Sequence, residues 1–583
     1  MAEGNKSKDN KYLAEYRRWA TDPYFSAYHA ELAAIADDPA EIRERFYKEP
    51  DFGTAGIRGV MEAGLNRINI PLVRKVSTAI ARYVNSLGRT KAKQGIVIGY
   101  DSRNNSLEFA REAAAVFAGH GIRTYIHKAI SPVPLLSYSV RTLGTAMGVM
   151  ITASHNPKQY NGYKVYGPDG AQLSPEDSAE ISRRMSRIAD FRKLQVFNFD
   201  ALLAAGNIEY CPDCVVDNYF KTVRALLPEN VAEHSGTAGL KVVYTALHGA
   251  GALFVPKILK EIGVGKVYPV KSQMAPDGNF PTVPVPNPES PDAYKKALAI
   301  ARRTNADMII ATDPDSDRTG ACVKNRNGEY ELITGNEIGE ILLLRRIELN
   351  NKPRPFAVST LVSTRLAEQI CRGKGVKYVD VLTGFKFIGE QIKLLEEQGN
   401  GHFIFGFEES YGFLAGSYCR DKDAVASCML LCEAAAFYKQ RGLTLIDALE
   451  EIYAEFGAQH EIQTSLQLEG ESGAAEMQRL LTAVRALGPD ILTGDRPAYY
   501  MDLLNNKRWK RTAKGGYRVY EEKEFPISDV LYYSYGDFWF CLRPSGTEPK
   551  IKVYFGCTGA SRAEAASNAE KLKKRVMTQI RAL

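Results

Sequence analysis

The first twenty residues, Met1 to Ala20, lack an apolar core, and no hydrophobic run in the chain approaches the length of a membrane span. Neither a secretory leader nor a membrane anchor is expected, and a cytoplasmic location follows. Cysteine is sparse, with nine in 583 residues, an odd number that suits reduced thiols better than a disulfide framework. Cys211 and Cys214 form one C-x-x-C pair, but no second pair stands at zinc-ribbon spacing, so a structural or incidental pair is favoured over a metal or redox site. An excess of one charge is also lacking. A net charge of +7 on this length argues against a nucleic-acid-coating protein and leaves room for local cationic pockets that take an anionic ligand. There is no G-x-x-x-x-G-K-S/T loop, and the glycines after His248 fall short of a dinucleotide fingerprint because Phe254 stands where the last glycine belongs. His248 then reads as a structural histidine.

What is present is an ordinary soluble composition, 45% hydrophobic and 25% charged, on a chain long enough for about four domains. Lys11 to Tyr47 reads as helical, an extension packed on the first domain. Buried strands then alternate with helices. Gly95–Tyr100 leads into Asp101 and an alanine-rich helix capped by Ser106; Val242–Tyr244 leads into His248; Met308–Ile310 leads into Asp313; Phe403–Phe405 leads into Gly406 and Glu408. This pattern predicts an α/β protein with largely parallel sheets, whose ligands sit beyond the carboxyl ends of the strands.

One such end organises the rest. The apolar run Ala146–Ile151 delivers Thr152-Ala153-Ser154-His155-Asn156-Pro157 into a turn, with Lys164 ten residues beyond the serine. A buried strand can present a nucleophile in this way, although a serine at such a place can equally do no more than cap a turn. In an extended backbone Ser154 and His155 point to opposite faces, which argues against a simple serine–histidine relay and requires another source of activation.

Thr312-Asp313-Pro314-Asp315-Ser316-Asp317-Arg318 sets three carboxylates at alternate positions, where they repel one another unless a cation neutralises them. Oxygen ligands on a tight loop suit Mg²⁺. A calcium EF-hand is excluded because Arg318 occupies the position that needs glycine and Lys324 the one that needs glutamate; a solvated acidic turn is the competing reading. Asp51 to Gly59 offers glycines for close backbone approach and Arg58 as a positive fork, or else an exposed turn. Leu382-Thr383-Gly384-Phe385-Lys386 and Gly406-Phe407-Glu408-Glu409-Ser410-Tyr411-Gly412 supply a lysine and a set of groups for sugar hydroxyls. Arg543-Pro544-Ser545-Gly546-Thr547-Glu548-Pro549-Lys550 reads as a phosphate cradle, followed by a helix with the box Ser561-x-x-Glu564. The basic run Asn505–Arg511 reads as an exposed connection or hairpin.

A serine, an aspartate loop, a sugar loop and a phosphate cradle on successive units describe phosphoryl transfer on a sugar phosphate. Taken together the motifs resemble those of the α-D-phosphohexomutase superfamily, and the entry Gly-Thr-Ala-Gly-Ile-Arg-Gly and the loop Gly-Phe-Glu-Glu-Ser-Tyr-Gly resemble its long phosphoglucomutase branch. The likeness spans nearly the whole chain after about residue 45. It implies a heart-shaped, four-domain enzyme with a central cleft, three α/β domains at 1–208, 209–322 and 323–458 and a C-terminal α+β domain at 459–583.

By the same resemblance, Ser154 is carried as phosphoserine and exchanges its phosphoryl group with glucose 1-phosphate through bound glucose 1,6-bisphosphate, releasing glucose 6-phosphate. Mg²⁺ falls to Asp313, Asp315 and Asp317 with an oxygen of the Ser154 phosphate. Arg58, His155, Lys164 and Lys386 match charge-neutralising and proton-transfer positions, with Lys164 favoured for acid/base work. Arg318, Thr383, Gly384, Glu408 and Ser410 match substrate-contacting positions, and Arg543, Ser545, Gly546 and Thr547 the loop that holds the phosphate not being transferred. Phosphoserine brings about −1.5 to −2 charge to three aspartates, so arginine and lysine are needed before a second phosphorylated molecule can approach. The expected partners are small sugar phosphates, with no nucleic acid and no membrane, for a monomer or homodimer. Phosphomannomutases of the family commonly carry a histidine just after the sugar loop's glutamate and serine; Tyr411 and Gly412 stand here, which favours glucose over mannose. Phosphopentomutase, phosphomannomutase, glucose 1,6-bisphosphate synthase, phosphatase and non-catalytic sugar-phosphate binding stay open as alternatives.

Overall fold

The apolar runs read as strands do form strands, and these assemble into four sheets. The computed structural model describes residues 2–50, 52–53, 56–468, 473–492, 495–521, 525–545 and 550–583. Contacts gather the chain into two units, one of Met1–Lys324, Gly328–Ile333 and Gly412–Gln440, the other of Asn325–Asn327, Thr334–Tyr411 and Arg441–Leu583.

The first unit holds two mixed sheets. Strands β1 (Ile57–Val60), β2 (Ile96–Tyr100), β3 (Thr124–Ile126), β4 (Met147–Ile151), β5 (Tyr160–Tyr166) and β6 (Ile208–Tyr210) run in the order β1-β5-β4-β2-β3-β6. Strand β2 is parallel to β3 and β4, whereas β5 turns back antiparallel to β4. Every residue of β2 and β4 is buried, as expected for strands covered on both faces. The second sheet orders β7 (Lys241–Thr245), β8 (Lys266–Pro269), β9 (Met308–Thr312), β10 (Thr319–Lys324) and β11 (Tyr330–Ile333) as β11-β10-β9-β7-β8. Helix Ala424–Gln440 is apolar around its circumference and is accordingly buried almost throughout. Ser106 departs from expectation. It is the first residue of its helix rather than the cap, a place taken by left-handed Asn105, and its hydroxyl donates to Asp101.

The helical N-terminus is Ala2–Thr21, His29–Ala34 and Pro39–Phe46. Its aromatics join the core of the first sheet: Trp19 stacks on Phe25 at 4.1 Å and meets Phe46 and Phe191 edge-on.

In the second unit, parallel strands β12 (Pro355–Thr360), β13 (Lys377–Val381) and β14 (His402–Glu408) run in the order β13-β12-β14. Helix Gly335–Leu349, with a capping box between Thr334 and Glu337, is buried from Gly335 to Arg345. The C-terminal sheet is seven-stranded and antiparallel, in the order Ala458–Gln467, Lys550–Gly559, Phe538–Pro544, Leu531–Ser534, Tyr499–Asp502, Lys507–Arg511 and Tyr517–Glu521. The basic run is therefore a hairpin strand, with Trp509 stacked on Tyr500 at 4.3 Å. Ser561 caps the last helix by accepting from the Glu564 amide, while the Glu564 carboxylate accepts from Ala560, a displaced version of the expected box. All nine cysteines are free, and no described helix is long and apolar enough to cross a membrane.

Because Trp19 is wholly buried among aromatics, Trp19→Ala is expected to lower the unfolding free energy of the first unit by about 3–5 kcal/mol. A urea melt that leaves that transition unmoved would refute the packing role of the N-terminal helices.

Candidate active site

The carboxyl ends of β4 and β9 converge in the first unit. After β4 the backbone leaves the strand through Thr152, and Ser154 takes a left-handed φ of +52°. That conformation overturns the expectation that Ser154 and His155 point apart. With the extended path broken, Ser154 Oγ lies 3.3 Å from His155 Nδ1 while donating to Asp313 Oδ2 at 2.7 Å. Burial, reinforced by Arg318 and Arg58, holds the His155 imidazole well below its usual range, so it is neutral here. Arg58 is exposed and donates to the Asn156 side chain at 2.7 Å, closing the turn from the outside.

The loop after β9 puts Asp313, Asp315 and Asp317 in one buried group whose ligand oxygens lie within 4.8 Å of one another. Asp313 Oδ1 accepts the Asp317 and Arg318 amides, and Ser316 takes a left-handed φ of +51° to wrap the loop around it. Burial and the neighbouring carboxylates push Asp313 well above the normal carboxylate range. Asp315 Oδ1 and Asp317 Oδ1 are buried with no hydrogen-bond partner. Two buried carboxylate oxygens without a hydrogen bond, on a loop whose three carboxylates lie this close together, fit a hard divalent cation.

Cations from elsewhere in the unit face the remaining oxygens. Lys164 on β5 donates to Asp315 Oδ2 at 2.9 Å and lies 3.5 Å from Asp317 Oδ2. Burial pulls its pKa down, but Asp315 and Asp317 outweigh it; the net shift is upward, and Lys164 is a cation. Sequence reasoning missed Lys422, which is buried, bonds Asp421 Oδ1 at 2.8 Å and stands 3.3 Å from Asp317 Oδ2. Burial alone would raise Asp317; Lys422 and Lys164 override it and hold this carboxyl far below its ordinary value. Asp421 is itself fixed by Tyr166 and Gln172, and Asp423 by Tyr219 and Tyr418. The local signal was Arg420-Asp421-Lys422-Asp423, which reads as a solvated charge cluster until the largely apolar helix that follows is weighed. Arg318 pairs with Glu289 at 2.5 Å.

The second unit gathers the other expected residues. The Gly384 amide donates to Glu408 Oε1 at 2.8 Å, tying the start of helix Phe385–Glu397, which carries Lys386 in its first turn, to the end of β14. Glu408 closes β14 rather than following it. Lys386 sits 4.7 Å over the ring of Phe387. Burial and then Glu408 push the Glu409 carboxyl up to about 7, against the pull of Lys552 and Arg543. Arg543 pairs with Lys552 across the C-terminal sheet, and the Ser545 amide donates to the Lys550 carbonyl at 2.8 Å, closing the base of the cradle loop. Gly546 and Thr547 lie outside the described residues.

Comparison with known proteins accounts for these loops in order. Four models of one family match: phosphoglucomutase/phosphomannomutase alpha/beta/alpha domain I at residues 49–192, domain II at 217–328, domain III at 334–456, and the C-terminal domain at 499–574. A phosphoglucomutase of Staphylococcus aureus strain N315 is 38% identical over 518 residues, 88% of this chain and 90% of the relative. Among solved structures, a phosphoglucomutase/phosphomannomutase family protein from Burkholderia thailandensis superposes with a TM-score of 0.65 at 18% identity, covering 91% of this chain and 97% of the other. The open form of the Paramecium phosphoprotein parafusin, a phosphoglucomutase, gives 0.67 at 15% identity, covering 91% and 95%. These structural likenesses carry the fold.

Calorimetric titration with Mn²⁺ is expected to find one divalent-ion site per chain, weakened roughly tenfold or more in Asp317→Asn; equal affinity in that variant would dismiss the aspartate group as a cation site. A second expectation concerns pH. The folded pKa of Glu409, about 7, lies above the ordinary 4.5. The stability that its neutral form contributes is therefore full below about 4.5 and is lost as pH rises to about 7. Glu461, also raised to about 7 by burial, acts in the same sense. Glu409→Gln should therefore reduce, without abolishing, the fall in stability of the second unit across that range, as read by denaturant melts at several pH values; an unchanged slope would contradict it.

Proposed function

The chain belongs to the phosphoglucomutase/phosphomannomutase family of the phosphohexomutase superfamily, and from that membership we propose that it interconverts α-D-glucose 1-phosphate and glucose 6-phosphate. The observation that carries this reading is Ser154 Oγ, which lies 2.7 Å from Asp313 at the edge of a buried three-aspartate group faced by Lys164 and Lys422.

In this reading Ser154 carries the phosphoryl group. Its P–O bond to Ser154 Oγ breaks as the sugar hydroxyl oxygen forms a new one and gives up its proton, while Ser154 Oγ takes one up, giving glucose 1,6-bisphosphate. The other phosphate of that intermediate then passes back to Ser154 Oγ, which gives up its proton, and the leaving sugar oxygen takes one up. Asp313, Asp315 and Asp317, with an oxygen of the phosphoserine, would hold Mg²⁺, which when bound supplies positive charge to the phosphoryl oxygens. We assign to Lys164 the proton exchange with the sugar oxygen. As the ammonium stabilised by Asp315 and Asp317 it is suited to donate, and phosphoserine formation sets it against a further anion. Lys422 and Arg58 balance the accumulated negative charge. Neutral His155 stands at the Ser154 oxygen as a hydrogen-bonding partner.

Thr383, Gly384, Glu408 and Ser410 are assigned to the sugar, together with Arg318, and Lys386 to charge neutralisation or proton transfer. Arg543, Ser545, Gly546 and Thr547 are assigned to the phosphate that stays on the sugar. Contacts to features common to both orientations, a distal phosphate and ring hydroxyls, let one site accept the bisphosphate either way round.

With Mg²⁺ and a trace of glucose 1,6-bisphosphate, the intact protein should convert glucose 1-phosphate to glucose 6-phosphate while releasing almost no inorganic phosphate. Ser154→Ala should lower kcat by roughly 10⁴-fold or more. Stoichiometric phosphate release would make it a phosphatase. Absence of turnover on glucose phosphates, with turnover on ribose or mannose phosphates, would move the substrate and keep the chemistry.

A further inference from the structure

The loop that carries Ser154 is held by a residue with no task so far. Arg103 lies between β2 and helix Ser106–Gly119, and its side chain is 0% exposed. Nη1 donates to the carbonyls of Pro157 at 2.9 Å and Tyr160 at 3.0 Å, and Nη2 to those of Ser154 and Asn156, both at 2.5 Å. The four terminal N–H groups of one planar guanidinium thus meet four carbonyls of one turn, a match that a lysine's point charge does not reproduce.

Arg103 is itself boxed in. On one side Asp101 lies 3.4 Å from its Nε and accepts the Arg103 amide at 2.9 Å. On the other, the ring of Phe280 covers the guanidinium at 5.0 Å. The Phe280 segment packs so tightly that a Cβ on Gly278 would lie 2.2 Å from the Asn104 amide nitrogen. Asp101 also reaches the serine from beneath. Its Oδ2 accepts the Thr152 hydroxyl at 2.6 Å; Thr152 Oγ1 in turn accepts the Ser154 amide at 2.9 Å and lies 3.1 Å from Asp315 Oδ2.

Serine does not rest in a left-handed conformation unless its surroundings over-determine it. Here the left-handed turn at Ser154 aims Oγ at Asp313, and both faces of that turn lead to Arg103 and Asp101. We infer that Arg103 is the positioning residue of the phosphoacceptor. By gathering the carbonyls of residues 154, 156, 157 and 160, its guanidinium fixes Ser154 left-handed, and with Asp101 and Thr152 it keeps Oγ in register with the aspartate loop. This rests on the reading of Ser154 as the group that carries the phosphoryl.

The test uses the full chain, wild type against Arg103→Lys and Thr152→Val. Folding is followed by circular dichroism and thermal melting. Activity is read as kcat and KM for glucose 1-phosphate, and phosphate uptake on Ser154 from glucose 1,6-bisphosphate as intact mass against time. Arg103→Lys should fold, keep KM within about twofold, and lose about 100-fold in both kcat and the rate of Ser154 phosphorylation. Thr152→Val should lose about tenfold in both. A merely structural role would reduce the amount of folded protein and leave kcat per folded chain untouched. The inference is overturned if folded Arg103→Lys keeps wild-type kcat and phosphorylation rate, or if its loss appears in KM instead. Should Arg103→Lys fail to fold, Thr152→Val decides by the same criteria. A wild-type chain that neither turns over nor takes phosphate on Ser154 would sink the functional reading itself, and the inference with it, before any variant is compared.

Discussion

The structure depends on a single electrostatic problem, three carboxylates confined to one buried loop. Unit charges a few ångströms apart, screened by little water, repel strongly, and burying them unpaired costs more than a domain's stability. Compensation must therefore be brought from distant parts of the chain. Strand β5 turns back along β4 so that Lys164, opposite Met150, reaches Asp315 and Asp317. The segment before helix Ala424–Gln440 brings Lys422 to Asp317, and the flanking Asp421 and Asp423 are anchored by tyrosines at 166, 219 and 418. Even so the balance is incomplete, since Asp315 Oδ1 and Asp317 Oδ1 accept no hydrogen bond. That residue of unmet charge is what a cation would satisfy.

In the proposed reading the second unit answers a different demand, recognition of neutral hydroxyls and a phosphate, and its electrostatics differ from those of the aspartate loop. Glu408 accepts from the Gly384 amide, while its neighbour Glu409 is pushed towards neutrality by burial and by Glu408 itself. The Glu409 carboxyl thus stands well above its ordinary value, a consequence of environment rather than of residue type.

Local signals in the sequence carried the strands and the loops at their ends. Alternate aspartates after an apolar run state their chemistry within a few residues. Arg103 and Lys422 do not. Their roles come from carbonyls and carboxylates that are neighbours only once β2, β4, β5 and β9 have been placed. The separation expected of Ser154 and His155 failed for a related reason. Alternation of side chains assumes an extended backbone, and the left-handed residue that breaks it is held by Arg103, far from it in sequence. Ser106 likewise looked like a cap because nothing nearby revealed Asp101 as a better partner for its hydroxyl.

The same charge balance bears on the residue that follows Tyr411. Gly412 has no side chain, and a Cβ there would lie 2.2 Å from Cδ of Lys422, in the path of the stem that delivers the ammonium to Asp317. A larger residue at this position would have to displace the stem of Lys422, one of the two lysines that face Asp317. The absence of a histidine here is thus more than an open choice of sugar ligand. Glycine at 412 leaves room for Lys422 beside Asp317, so in the proposed reading a change of sugar preference made at this position would also disturb the charge balance of the aspartate loop.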